Sequence, residues 1–332
     1  MIIPILIFLV SIFFLVLGAD IFLKSAEKIG LAMGLSPFVV GVTIVAFGTS
    51  FPELFTAMSA VFMNVTELIP ASVIGSNIAN ILLVVGISAI VGKKLVVTKN
   101  LIDVDLPLLA IGTVILIGVV YPWGREDSLL ITRIESFMLL LTYGAYLLYT
   151  FFHKEDDVEN SVKIPTREER RKHIVLKKEI KKPKIIMTDW IFLVLGGALL
   201  AFSAQYLVSS VIEISGLLGI GVGVISILAV AVGTSLPELV VSVKAALKGK
   251  PEVALGNVFG SNVFNSFVVI GLPGMFRNIE IDEVTISIGF PIMILATLLF
   301  VISGISRRIH NWEGIFYLLL YIIFTAKILS LF

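Results

Sequence analysis

The chain has 332 residues, 58% of them hydrophobic and only 15% charged, with a mean hydropathy of +1.05. A soluble domain carries about 25% charged residues, so lipid rather than water is the main solvent. The net charge of +1 excludes a general affinity for nucleic acid, and the absence of cysteine excludes disulfides, thiolate metal sites and thiol catalysis.

The first segment, MIIPILIFLVSIFFLVLG, is apolar, and no Lys or Arg precedes it. A cleaved signal peptide needs a basic leading region, so this segment is read as a retained transmembrane helix. A helix needs roughly 20 apolar residues to cross the hydrocarbon core. Such stretches recur near 2–23, 37–63, 69–91, 105–121, 129–152, 187–212, 218–246, 252–275, 284–304 and 313–331. The expected fold class is all-α integral membrane, with ten transmembrane helices, five on each side of one polar segment. That segment, 153–184, holds 11 Lys/Arg and 7 Asp/Glu. It is too short for a core of its own and is read as a solvated linker between a five-helix unit at 1–152 and another at 185–332.

Cytoplasmic connections carry an excess of Lys and Arg. With the linker inside the cell, cytoplasmic connections hold 21 of the 25 Lys and Arg residues, and outer connections hold only Arg125 and Arg277. Both termini then face outside a cell membrane that the chain crosses many times. Trp123, Trp190 and Trp312 fall at span ends, where aromatic anchors belong. His153, His173 and His310 lie in or beside polar segments, so neither a histidine zinc site nor a histidine proton relay is expected.

The two halves repeat. VAFGTSFPEL at 45–54 matches VAVGTSLPEL at 230–239, and GSNIAN at 75–80 matches GSNVFN at 260–265, both at an offset of 185. Over 44–86 and 229–271 there are 17 identities in 43 positions. Shared hydrophobicity does not align Gly-Thr-Ser, Pro-Glu and Gly-Ser-Asn twice at constant spacing. Because each half has five expected spans, the second enters the membrane inverted relative to the first. Inverted repeats are a transporter architecture, with the substrate site near the midplane at their interface.

Glu53 and Glu238 are the acidic residues placed deep in a span; Asp20, Glu135 and Glu213 lie closer to span ends. An ionisable group at that depth costs at least about 2.5–3.5 kcal/mol on insertion scales. Thr49 and Ser50 precede Glu53 by four and three residues, as Thr234 and Ser235 precede Glu238; on a helix each set shares a face. Pro52 and Pro237 lack an N–H, which should free carbonyls near 46–49 and 231–234 from helix bonding. Hydroxyls, carbonyls and carboxylates are hard oxygen ligands, of which calcium takes six to eight. Ser76 with Asn80 and Ser261 with Asn265 add a second polar face, and Gly75 and Gly260 allow backbones to approach closely. Asn77 and Asn262 are read either as further site amides or as helix-packing groups.

At these motifs the chain resembles the sodium/calcium exchangers of the calcium/cation antiporter superfamily, in the paired GTSFPE/GTSLPE and GSNIAN/GSNVFN segments, the ten spans and the central linker. The resemblance implies a calcium site of Glu53 and Glu238 with the backbone oxygens of Thr49 and Thr234. It implies sodium sites at Ala46, Ser50 and Ser76 in one half and at Ala231, Ser235 and Ser261 in the other, with Asn80 at the centre. It implies three Na⁺ per Ca²⁺. Many microbial and potassium-dependent members have Asp where this chain has Asn265, which argues against potassium co-transport. The partners expected are Ca²⁺, Na⁺ and the lipid bilayer, with no cofactor. A calcium/proton antiporter on the same fold and a cation channel are the alternatives. No Ser–His or Asp–Asp constellation at membrane depth and no nucleotide-binding loop is seen, so an enzyme or an ATP-driven pump is not expected.

Overall fold

The computed structural model describes residues 2–96, 105–120, 129–152, 184–217, 233 and 235–328. Nearly all of the linker, Trp123 and the greater part of the expected 218–246 span lie outside the described residues. Eleven helices are described: α1 (Ile2–Met33), α2 (Pro37–Thr49), α3 (Phe51–Met63), α4 (Leu68–Val91), α5 (Asp105–Val120), α6 (Arg133–Phe152), α7 (Met187–Leu217), α8 (Leu236–Leu247), α9 (Pro251–Phe276), α10 (Thr285–Ile305) and α11 (Asn311–Ile328). Among the described residues five helices, α1, α4, α7, α9 and α10, are long and apolar enough to cross a membrane. The α2–α3 pair, bent by 41° at its break, makes a sixth span. Phe13, Phe55, Phe62 and Trp312 are largely exposed on the outer faces, a pattern that lipid, not water, stabilises.

Two features depart from the sequence reading. First, α1 does not stop near residue 23. It runs on through Lys24, Glu27 and Lys28 to Met33, so Asp20 lies within the helix. The charges have partners there. Asp20 pairs with Lys244 and, at 2.7 Å, with Lys248; Glu27 pairs with Lys250; Lys28 pairs with Asp189 at 2.7 Å. Second, two short strand pairs that the sequence reading does not include join the helical halves. β1 (Lys94–Val96) pairs antiparallel with β4 (Arg308–His310), and β2 (Leu130–Ile131) pairs antiparallel with β3 (Ile279–Glu280). Each short pair clips the first half of the chain to the second, through buried Leu95 opposite Ile309 and Ile131 opposite Ile279.

The core centres on α9, which is wholly buried over its apolar window, with α4 buried over most of its own. α9 lies against α2 with no side chains between the backbones. A Cβ on Gly260 would sit 2.2 Å from the Val42 carbonyl oxygen and 2.6 Å from the Ala46 Cβ, and one on Gly256 would sit 2.4 Å from the Phe38 carbonyl oxygen. This contact faces the Ala46–Thr49 end of α2 toward Asn257 and Ser261 of α9. The repeat equivalents of Val42 and Ala46, Ile227 and Ala231, lie outside the described residues. Because the obstacle at Gly260 is main chain, Gly260→Ala must push the two helices apart. The expected loss is about 1–3 kcal/mol, read as a lower melting temperature of the purified protein in detergent. An unchanged melting temperature would contradict the backbone contact.

Candidate functional site

Each repeat breaks its helix at the serine of the Gly-Thr-Ser motif. Ser50 sits between α2 and α3 at φ −89°, ψ 6°, and Ser235 precedes α8 at φ −89°, ψ 7°. Pro52 and Pro237 fall in the first turn of the following helix, where a missing N–H costs nothing. The prolines therefore start helices rather than kink their interiors. Glu53 and Glu238 are carried into the first turn of α3 and α8, the positive end of the helix dipole, which favours negative charge. The expectation that carbonyls near 46–49 are released fails at Ala46. Its oxygen accepts from the Ser50 N–H at 3.0 Å and the Thr49 hydroxyl at 3.3 Å. The carbonyl that Pro52 cannot serve is that of Gly48, four residues earlier.

The second motif has its own irregularity. α4 widens into a π-helical turn at Asn80–Val85, and α9 does so at Asn265–Val269. Both turns begin at the second asparagine of GSNIAN and GSNVFN. π turns recur at functional sites, and here one marks the same position in each repeat.

The structure brings the expected residues together crosswise. Ser50 Oγ of the first repeat donates to Glu238 Oε1 of the second at 2.8 Å, and Ser261 Oγ donates to the same oxygen at 3.4 Å. Thr49 Oγ1 lies 3.4 Å from Ser261 Oγ. Ala46, Thr49, Ser50, Glu53, Ser76, Asn80, Ser235, Glu238, Ser261 and Asn265 are all buried, with Glu53 at 3% and Glu238 at 0% exposure. Ala231 and Thr234 lie outside the described residues.

Several of these polar atoms have no hydrogen-bond partner: both carboxyl oxygens of Glu53, Oε2 of Glu238, Oγ of Ser235, and both carboxamide atoms of Asn80 and of Asn265. A buried polar group left unpaired costs about 1–3 kcal/mol, more when charged. Such a set concentrated on two repeat-related motifs is the signature of a ligand cradle. Its composition is two carboxylates and otherwise neutral groups; among the described residues no three His, Asp or Glu side chains cluster.

Asn77 and Asn262 bond the two repeats to each other through their Nδ2 groups, while the Oδ1 of each is buried without a partner. Asn77 Nδ2 donates to the Asn262 carbonyl at 3.4 Å and to Ser266 Oγ at 2.9 Å, and Asn262 Nδ2 returns a bond to the Asn77 carbonyl at 3.5 Å. Sequence reasoning missed Asn257 and Ser242, both buried at 0% exposure and bonded into the same cluster. Their repeat counterparts are Ser72 and Ala57, so comparing the halves passes over them. The available signal was spacing: Asn257, Ser261 and Asn265 recur every four residues along one face of α9.

A multi-pass helical protein whose two halves jointly enclose an oxygen-lined, partly anionic cradle is a cation transporter by class. The profile of the sodium/calcium exchanger protein family matches residues 3–152 and 188–329, and the chain belongs to that family. It is 32% identical to the sodium/calcium exchanger MaX1 of Methanosarcina acetivorans, over 96% of each chain. It is 28% identical to the inner membrane protein YrbG of Escherichia coli, over 92% of this chain and 90% of that one. A solved structure of the sodium-calcium exchanger NCX_Mj, soaked with 10 mM Na⁺ and zero Ca²⁺, matches with a TM-score of 0.75 and 28% identity over 97% of both chains.

Proposed function

We propose that this chain is a secondary antiporter that exchanges Na⁺ for Ca²⁺ by alternating access between its two halves. The observation that carries the reading is the set of unpartnered buried oxygens on repeat-related positions, with Glu53 and Glu238 as its only carboxylates. Two carboxylates are neutralised by one Ca²⁺, whereas one Na⁺ leaves a charge uncompensated. Glu53 and Glu238 hold calcium with the backbone oxygens of Thr49 and Thr234. Sodium uses Ala46, Ser50 and Ser76 on one side and Ala231, Ser235 and Ser261 on the other, with Asn80 and Asn265 between them. Substituting either carboxylate should therefore stop exchange without unfolding the protein. Glu53→Gln and Glu238→Gln are expected to abolish uptake of radiolabelled calcium driven by a sodium gradient in proteoliposomes. Near-normal uptake by either would sink the assignment. Uptake indifferent to sodium in the unmodified protein would favour proton coupling instead.

The coupling follows from the same charge count. With Asn80 and Asn265 neutral, calcium brings the site to neutrality. Neutral hydroxyl, amide and carbonyl oxygens accept a third sodium without competing for charge, and sodium/calcium exchange is the activity in the name of the relative MaX1. Three Na⁺ per Ca²⁺ moves one net positive charge per cycle. A charge crossing the membrane is worth about 2.3 kcal/mol per 100 mV, so calcium uptake into sodium-loaded proteoliposomes should respond steeply to a clamped potential. It should also persist when potassium is replaced by an inert cation, because the position that would favour potassium carries Asn265. Voltage-independent exchange would refute the stoichiometry, and an absolute need for potassium would refute the reading of Asn265.

The chain crosses a cell membrane ten times in two inverted five-helix repeats, with 153–184 as a cytoplasmic linker and both termini outside. The strand pairs support this plan. β1 lies beside β4, and the Lys/Arg count assigns both connections to the cytoplasm; β2 lies beside β3, and both belong to outer connections. In a chain free of cysteine, Ser161→Cys should resist an impermeant thiol reagent in intact cells, whereas Asn278→Cys should react. Labelling at 161 without permeabilisation would reverse the orientation.

A further inference from the structure

Asn257 occupies the turn of α9 before Ser261 and is fully buried. Its Oδ1 lies 3.0 Å from Thr49 Oγ1. A carboxamide oxygen only accepts, so Asn257 competes with the Ala46 carbonyl, at 3.3 Å, for the Thr49 hydroxyl proton and is the nearer of the two acceptors. On its other side Nδ2 donates to Ser242 Oγ at 2.9 Å and to the Glu238 main-chain carbonyl at 3.4 Å. The carbonyl on that side requires the NH₂ group there, which fixes the orientation of the amide. One side chain thus joins the Thr49 end of α2, in the first repeat, to the first two turns of α8, in the second.

The carboxylate is held as well: Glu238 Oε1 accepts from the Ser50 hydroxyl at 2.8 Å and from the Ser261 hydroxyl at 3.4 Å. Glu238 is therefore held through its backbone by Asn257 and through one carboxyl oxygen by two hydroxyls. Among the described residues Glu53 has neither kind of support: both its oxygens are unpartnered, and the positions equivalent to Asn257 and Ser242 hold Ser72 and Ala57.

We propose that Asn257 is a positioning residue that preforms the Glu238 half of the cation site, where the equivalent position in the Glu53 half holds Ser72. The inference rests on reading Glu53 and Glu238 as cation ligands. A ligand set held in its binding geometry before the ion arrives binds more tightly, because less ordering remains to be done on binding. Removing the brace should weaken calcium binding more than it slows the transport step.

The test compares the full-length protein with Asn257→Ala and Ser242→Ala. Ser242→Ala installs the side chain that the first repeat already carries as Ala57. Two quantities are measured: sodium-dependent calcium uptake as a function of calcium concentration, and melting temperature in choline, Na⁺ or Ca²⁺. Asn257→Ala is expected to raise the half-saturating calcium concentration about tenfold, the size of one lost buried hydrogen-bond partner. Its maximal rate should stay within about twofold of the unmodified protein's. Ser242→Ala, which removes one of three bonds, should shift half-saturation the same way by about threefold. The rise in melting temperature produced by a fixed calcium concentration should shrink in both variants. A purely structural role would lower the melting temperature in every medium and leave half-saturation unchanged, and that result overturns the proposal. If Asn257→Ala does not fold, an unshifted calcium dependence in Ser242→Ala overturns it alone. An unmodified protein whose melting ignores both Ca²⁺ and Na⁺ removes the ion-site reading and the brace with it. Unmodified and variant proteins that respond alike remove only the brace.

Discussion

Two carboxyl groups buried at the middle of a membrane protein set the terms for the rest of this structure. Moving a carboxylate out of water costs several kcal/mol even after the protein relaxes around it. The chain offsets part of that cost locally. Both glutamates sit in the first turn of a helix, where the dipole favours their charge. Glu238 also accepts bonds from Ser50 and Ser261. Among the described residues no lysine or arginine pairs with either glutamate, and a resident cationic side chain would occupy the cradle permanently. Leaving the remaining charge to an ion that enters and leaves is the arrangement a carrier requires, and it accounts for the polar atoms left without partners around the glutamates.

That cradle exists only because the two repeats are built into each other. Gly256 and Gly260 let α9 of the second repeat touch the main chain of α2 in the first. The contact puts the Thr49–Ser50 break beside Ser261 and Glu238. The same crossing recurs at the periphery, where β1 takes β4 and β2 takes β3 as partner. Neither half holds a complete site: the hydroxyls nearest Glu238 come from Ser50 of one repeat and Ser261 of the other. Dividing the ligands between halves means that a relative movement of the halves changes access and coordination together.

What the sequence made legible followed from identity rather than hydrophobicity. Gly-Thr-Ser-x-Pro-Glu and Gly-Ser-Asn recur at a fixed offset, so the glutamates, serines and paired asparagines could be named before any coordinates. What escaped lay where that symmetry fails or where partners are remote. Asn257 and Ser242 have no matching residue in the first repeat, so the comparison that found the site hid its brace. α1 outran its apolar stretch because Asp20, Glu27 and Lys28 find opposite charges on α8, the turn after it and α7; hydropathy along one helix cannot register a partner more than 160 residues away. The role of the prolines was misjudged for a local reason. A proline two residues after a break starts a helix, and the break itself belongs to Ser50 and Ser235.

The near-identical motifs thus sit in unequal surroundings, and the inequality extends along whole helices. α8 is tied at its start by Asn257 and at its end by Lys244 and Lys248, which both reach Asp20 of α1. In the first repeat, Ser59 and Met63 stand where those lysines stand in the second, and neither can form an ion pair. α3 instead ends with Phe62 and Met63 exposed toward lipid. One glutamate is therefore mounted on a helix fixed at both ends, the other on a helix fixed at neither by these means. If both mounts were soft, a departing ion would leave two unsolvated carboxylates free to find new partners, and the site would have to be rebuilt at every cycle. If both were rigid, the halves could not exchange access. On the proposed function, a stiff mount opposite a compliant one lets the ligand set survive the passage of its ion while the path to it changes.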